Sequence, residues 1–259
     1  MALVKNSLGL SVIVITRNEE EALPACLESV KNIADQIVLV DSGSTDKTLD
    51  IAKSYNSQIF HRDWAGYSAQ KQFALEKAAG PWVLNIDADE RLTPELANEI
   101  REMLSTSSNG SNPNGYDVPF QHFFCGKRLR FGGVQGESHL RLFKKDVSRY
   151  GQETVHEGIQ VTPPLGRLQH SILHYSYKNI HDYLTKCNDY TTMIARKKYG
   201  EGSRFHWWHH LRLPWEFVVR YFLKLGFLDG TEGFIYALLS SYYVWLKYAK
   251  LRDCEGLGK

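Results

Sequence analysis

Three stretches decide the fold: Leu10–Glu20 reads LSVIVITRNEE, Gln36–Asp46 reads QIVLVDSGSTD, and Trp82–Arg91 reads WVLNIDADER. Each opens on a continuous apolar, β-branched run and closes on polar turn residues. That is the signature of strands covered on both faces. The reading predicts strands over Leu10–Ile15, Gln36–Val40, Gln58–His61 and Trp82–Ile86. Between them it predicts helices over Asn18–Val30, Asp46–Tyr55 and Tyr67–Ala79, and a fourth from Thr93-Pro94 to Leu104. Ser44 or Thr45 is the expected cap of the second helix, and Gly80-Pro81 is a stop for the third. Strands alternating with helices argue for an α/β sheet with parallel strands and right-handed crossovers.

Working outward, Ser105–Gly115 (STSSNGSNPNG) is polar and reads as an internal boundary. Beyond it short strands are expected at Tyr116–Phe120, Lys127–Phe131, Leu140–Phe143 and Gly158–Val161, and helix from about Asn179 onward. The chain of 259 residues carries 31 Lys+Arg against 29 Asp+Glu, a net +2. That balance excludes a duplex-coating protein, and 43% hydrophobic residues exclude a disordered chain. Nucleic acid is therefore not an expected partner. Cys26, Cys125, Cys187 and Cys254 lie far apart, which excludes the usual zinc spacings. The total hides an asymmetry: residues 1–195 sum to −3 (20 basic, 23 acidic) and residues 196–259 to +5 (11 basic, 6 acidic). Four of the six tryptophans (Trp207, Trp208, Trp215, Trp245) share that basic tail.

The chemistry-bearing residues cluster at strand ends. The first βα turn, Thr16-Arg17-Asn18-Glu19, has neither dinucleotide-fold nor P-loop glycines, so a bound diphosphate needs another counter-charge. Asp87-Ala88-Asp89 supplies hard oxygen ligands suited to Mg²⁺ or Mn²⁺ at the mouth of the sheet; the bland reading is a polar loop with a helix cap. Asp41 reads equally as an acceptor for a base or ribose and as a turn-former. Arg141, with Lys144 and Lys145, reads as a phosphate contact or a solvated strand end. Lys71, beside Gln70 and Gln72, poses the same choice. The histidines of HWWHH, residues 206–210, have no acid or thiol beside them and read as packing or membrane-facing groups.

Together, SVIVITRNEE, IVLVDSGSTD and NIDADER resemble the inverting glycosyltransferases of family 2, over roughly residues 8–160. Three further stretches make the chain similar to the lipopolysaccharide inner-core β-1,4-glucosyltransferases within that family. They are HLRLFKK with the glycines before it, VHEGI, and FLDGTEGF. The resemblance implies a GT-A fold: a single Rossmann-like mixed sheet with helices on both faces, here followed by a helical, membrane-associating C-terminal tail. It implies a nucleotide-sugar half over residues 1–115, an acceptor half over 116–195 and the tail over 196–259. Thr16, Asn18 and Glu19 are then expected to line the nucleotide pocket, with Asp41 on the uracil and ribose side. Asp87 and Asp89 correspond to the metal and diphosphate motif, Asp89 as direct ligand, and His156 completes the metal site. An inverting transfer needs a carboxylate to deprotonate the acceptor hydroxyl. Glu157 and Glu137 are the candidates, where family members often use an Asp.

The implied donor is UDP-glucose and the implied acceptor a heptose of the lipopolysaccharide inner core. The tail segments Trp215–Leu228 and Phe234–Leu251 are short for membrane spans and carry internal charges. They read as interfacial helices on an anionic membrane, or as helices packed on the catalytic domain. With no signal peptide apparent, the expected location is cytoplasmic, peripheral on the inner face of the inner membrane. Transfer to a polyprenyl phosphate, nucleotidyl transfer and a non-catalytic sugar-nucleotide-binding role are the competing readings.

Overall fold

A computed structural model describes residues 7–106, 113–151 and 158–257. The chain divides into two compact units, one of residues 1–120 with 137–174 and one of residues 121–136 with 175–259.

The first unit opens with strand β1 (Leu10–Thr16), helix α1 (Leu23–Val30), β2 (Gln36–Asp41), α2 (Thr48–Ser54), β3 (Gln58–His61) and α3 (Tyr67–Lys77). It continues with β4 (Trp82–Asn85), β5 (Glu90–Leu92) and α4 (Pro94–Thr106). In chain order there follow β6 (Gly115–Phe124), β7 (Lys127–Leu129), which belongs to the second unit, β8 (Ser138–Lys144), β9 (Ser148–Tyr150), β10 (Ile159–Val161), β11 (Leu165–Arg167) and β12 (Ile172–Tyr177). The sheet runs β3-β2-β1-β4-β8-β6-β12-β5. β1, β2, β3 and β4 are mutually parallel, as the apolar runs predict. β8 and β5 pair antiparallel with their neighbours, which makes the sheet mixed. This is the GT-A arrangement. Leu10, Val12, Val14, Leu39 and Leu84 pack on Leu23, Leu27 and Val30 on one face, while Ile13, Val38, Val40 and Val83 meet Ala74 and Leu75 on the other. Burial on both faces is why these strands lack polar alternation.

Several boundaries differ from the sequence reading. The helix expected from Asn18 begins only at Leu23, because Asn18 sits at φ +56° and its carboxamide accepts the Thr45 N–H at 2.8 Å. Neither Ser44 nor Thr45 caps α2. Ser44 turns back to Asp41, and Asp46 Oδ1 instead accepts the Thr48 N–H at 3.0 Å. β5 and β12, which pair His174 with Glu90, were not anticipated.

The second unit holds the ends of β6 and β12, together with α5 (Ile180–Gly200), α6 (Arg212–Val218) and α7 (Gly230–Leu257). Phe124, Leu129, Val134, Tyr183 and Cys187 form its core, with Tyr236, Leu239 and Tyr243 against them. The helix expected over Trp215–Leu228 is interrupted. It passes through a π turn at Val219–Leu223 and a 3₁₀ turn at Gly226–Asp229. Gly233 lies inside α7. A Cβ there would sit 2.0 Å from the Gly226 carbonyl oxygen. The glycine permits a close backbone approach.

Candidate active site

The parallel strands end together, so the loops after β1, β2 and β4 gather at one edge of the sheet. Thr16 and Asp41 are opposed in register, with Thr16 Oγ1 3.4 Å from Asp41 Oδ1. The buried Asp41 carboxylate is taken up by its own turn. Oδ2 accepts the Gly43 and Ser44 N–H groups, each at 2.8 Å, and Oδ1 accepts the Ser44 hydroxyl. Asn18 and Glu19 lock the first loop to the second through the Asn18 N–H to Ser44 Oγ and the Glu19 N–H to Thr48 Oγ1. On α3, Gln70 is fully buried. Its amide donates to Ser42 Oγ and to the Arg62 carbonyl, while Oε1 has no hydrogen-bond partner among the described residues.

Just beyond β4, Asp87 lies between two cations. Lys71 Nζ is 2.8 Å from Oδ1 and Arg141 Nη2 is 3.0 Å from Oδ2. Arg141 Nη2 also donates to Glu90 Oε1, and Glu90 Oε2 accepts the Asp87 N–H at 2.9 Å. Glu90 is thus a brace that holds both the guanidinium and the backbone of the Asp87 loop. Burial disfavours an ionised Asp87, but Lys71 and Arg141 outweigh it and hold the carboxyl far below the usual range. Burial, with the Asp87 charge against the attraction of Arg141, lifts Glu90 to about 7.

Asp89 is partly exposed, and its Oδ2 lies 3.6 Å from His174 Nε2. Burial disfavours the charged imidazole, but Asp89, Glu90 and Asp87 raise its pKa above the ordinary value. The phenol oxygen of the buried Tyr150 has no hydrogen-bond partner among the described residues. Glu137 immediately precedes β8. Glu137 Oε1 is 2.8 Å from His139 Nε2, and the Glu137 carbonyl accepts the Phe120 N–H at 2.9 Å.

Of the predicted residues, Thr16, Asn18, Glu19 and Asp41 gather in one pair of loops. Lys71, Asp87 and Arg141 form one ion network, with Asp89 beside it. His156 and Glu157 lie outside the described residues. Lys144 and Lys145 do not join Arg141: Lys144 is opposed to Trp82 at the start of β4, and Lys145 Nζ donates to the Ala78 carbonyl after α3. Strand polarity separates them, since Leu142 already faces Leu84. Sequence reasoning missed Glu90 and His174. Glu90 is an acid adjoining DAD, with no spacing rule to single it out. His174 lies in ILHYSY, whose apolar and aromatic character was a usable strand signal.

The donor set suits a hard divalent cation. Among the described residues no lysine or arginine pairs the Asp89 carboxylate, whereas both oxygens of Asp87 are occupied by cations. Among the described residues no three His, Cys, Asp or Glu form a ready-made cage. An ion here would draw its remaining ligands from a bound diphosphate and water, the usual pattern for Mg²⁺.

Residues 11–160 match the family model described as glycosyl transferase family 2. The chain is 34% identical over 258 residues to the lipopolysaccharide core biosynthesis glycosyltransferase LpsC of Rhizobium meliloti (strain 1021), covering 96% of this chain and 94% of that protein. It is 31% identical over 257 residues to the uncharacterized glycosyltransferase RP128 of Rickettsia prowazekii (strain Madrid E), covering 94% and 87%. Among solved structures, S. aureus TarS residues 1–349 in complex with UDP-GlcNAc aligns at a TM-score of 0.48 and 14% identity, covering 96% of this chain and 92% of that one.

Proposed function

The chain belongs to glycosyl transferase family 2, and from that premise we propose a divalent-metal-dependent, inverting transfer of a sugar from a UDP-sugar to the lipopolysaccharide inner core. The expected sugar is glucose and the expected acceptor a heptose. The observation that carries the reading is the strand-end cluster in which Asp87 is clamped by Lys71 and Arg141 while Asp89 stands unclamped beside it. The name and near-complete coverage of the LpsC relative support the acceptor class.

In this mechanism Asp89, with His156, would hold Mg²⁺ or Mn²⁺. When bound, the ion supplies positive charge for the diphosphate leaving group. Thr16, Asn18, Glu19 and Asp41 receive the nucleoside. Lys71 and Arg141 keep Asp87 ionised and oriented, and add positive potential where negative charge develops as the bond to the diphosphate breaks. Glu157 or Glu137 takes the proton of the acceptor hydroxyl as its oxygen bonds to the anomeric carbon, opposite the departing UDP. The hydrogen bond to His139 fixes the Glu137 carboxylate.

A membrane-embedded acceptor also gives the tail a purpose. Trp207, Leu211, Trp215, Phe222, Leu223 and Leu228 are all more than half exposed, with Arg212 and Lys224 exposed among them. Among the described residues no helix is long and apolar enough to cross a membrane. Aromatic exposure with interspersed cations supports peripheral contact with an anionic membrane from the cytoplasmic side. The same observation favours, as a second reading, another lipid-linked acceptor.

The test is nucleotide diphosphate release from a panel of sugar nucleotides with Mn²⁺ or Mg²⁺ and truncated lipopolysaccharide as acceptor. Release is expected with UDP-glucose and lost in Asp89→Ala. Silence with every donor, or full release by the variant, overturns the mechanism. Flotation with anionic liposomes at two salt concentrations tests the tail, and failure to float at low salt overturns the membrane contact.

A further inference from the structure

The second unit contains a cavity of about 360 Å³ to which the transfer chemistry assigns no role. Four tyrosines, Tyr177, Tyr183, Tyr236 and Tyr243, line it together with Arg220 and Lys247. Its size falls in the range that holds a small organic ligand. α7 builds one wall from a single helical face, since Tyr236, Ser240, Tyr243 and Lys247 recur at spacings of three and four. Tyr177 and Tyr183 close the opposite side, ring centroids 4.5 Å apart.

The polar groups are arranged for an anion. Lys247 has no acidic or carbonyl partner among the described residues and lies 5.4 Å from the Tyr248 ring. Arg220 is held in place, with Nε 2.8 Å from Glu216 Oε1 and Nη1 donating to the Gly132 carbonyl at 3.2 Å. Among the described residues the carboxylate of Glu216 acts on Lys247 against Lys198 and Arg212. Burial and those two cations hold the Lys247 ammonium below its ordinary pKa, which an added negative charge would relieve. Burial raises the hydroxyl pKa of Tyr177, Tyr183 and Tyr243, so these phenols remain O–H donors. Aromatic faces suit the C–H faces of a sugar ring, phenols and Ser240 suit its hydroxyls, and an unpaired ammonium suits an acid group.

We propose that this cavity binds an acidic sugar, a phosphorylated or carboxylated residue of a saccharide, with its ring against Tyr183 and Tyr243 and its acid on Lys247. The proposal rests on the reading of the chain as a glycosyltransferase with a saccharide acceptor, and deepens it by giving that acceptor a second, charged point of attachment.

The test titrates the full chain, without nucleotide, with mannose 6-phosphate, methyl α-mannoside and inorganic phosphate, read by saturation-transfer NMR and tyrosine fluorescence. Mannose 6-phosphate is expected to bind at least tenfold tighter than either of the others. Lys247→Gln is expected to weaken it at least tenfold, Lys247→Arg to restore it, and Tyr243→Phe to weaken it about threefold; circular dichroism checks each fold. Undiminished binding by Lys247→Gln overturns the site, as does methyl mannoside bound as tightly as its phosphate. Inorganic phosphate bound equally well overturns the saccharide assignment and leaves an ion site. Nucleotide release is scored separately. Its absence alongside intact sugar phosphate binding counts against the transferase reading, and the converse counts against the cavity.

Discussion

Replacing Arg141 with Met is the sharpest perturbation of the site network. The guanidinium is 10% exposed and sits between Asp87 and Glu90, which is itself fully buried. Methionine keeps much of the stem volume, and so the packing near the Phe120 ring, where the guanidinium carbon is 5.3 Å from the centroid. It removes the charge. Asp87 retains Lys71, but Glu90 keeps the Asp87 N–H and the more distant His174 in place of the guanidinium. Removing one partner of a buried ion pair costs about 3–5 kcal/mol, because the remaining charge is uncompensated. At roughly 2–4 °C per kcal/mol for a unit of this size, the melting point of Arg141→Met should fall by about 6–20 °C. Glu90→Gln in the same chain removes the stranded carboxylate while keeping an acceptor for the Asp87 N–H. The double variant should therefore recover roughly 1.5–3 kcal/mol relative to additivity. Thermal and urea unfolding of the two single variants and the double variant form the cycle. Additivity within about 0.5 kcal/mol would refute the claim that Glu90 and Arg141 act as one unit.

Three further outcomes are expected. Asp89→Ala should lower sugar-nucleotide turnover by at least about 100-fold with a melting point close to wild type, since its ion pair with His174 is long, at 3.6 Å; EDTA should reproduce the loss and added Mn²⁺ reverse it. Gly233→Val should destabilise the second unit by about 3 kcal/mol in urea unfolding, because even a Cβ meets the Gly226 carbonyl at 2.0 Å. Asp229→Ala strands the Arg130 and Phe131 N–H groups, which its carboxylate accepts at 2.9 and 2.8 Å. It should cost about 1–3 kcal/mol and speed amide exchange at those two residues.

Much of the first unit was legible because its information is local. LSVIVI, QIVLV and WVLN are apolar without alternation, which only a strand buried on both faces tolerates, and the acids that follow them stand at strand ends by continuity of the chain. Helix starts were less legible. Asn18 and Ser44 look like cap residues in isolation, yet both spend their side chains tying one loop to the next: the Asn18 carboxamide accepts the Thr45 N–H, and the Ser44 hydroxyl accepts the Asn18 N–H 26 positions away. The interrupted tail helix was illegible for a similar reason, since Gly233 answers to the Gly226 carbonyl, and Gly226 to the Arg220 carbonyl, and not to helical periodicity.

By itself, the sequence determined that four parallel strands would deliver Asp41, Asp87 and Asp89 to one edge of a sheet, because hydrophobic patterning and chain direction suffice for that. Only the tertiary structure decided what each carboxylate does there. Asp41 is taken up by its own turn, Asp87 lies between Lys71 from α3 and Arg141 from an antiparallel strand 54 residues away, and Asp89 is left for other partners. Charge compensation is a matter of distance in space. Glu90 could brace that network, and Lys247 could stand unpaired among tyrosines, only once distant segments had packed.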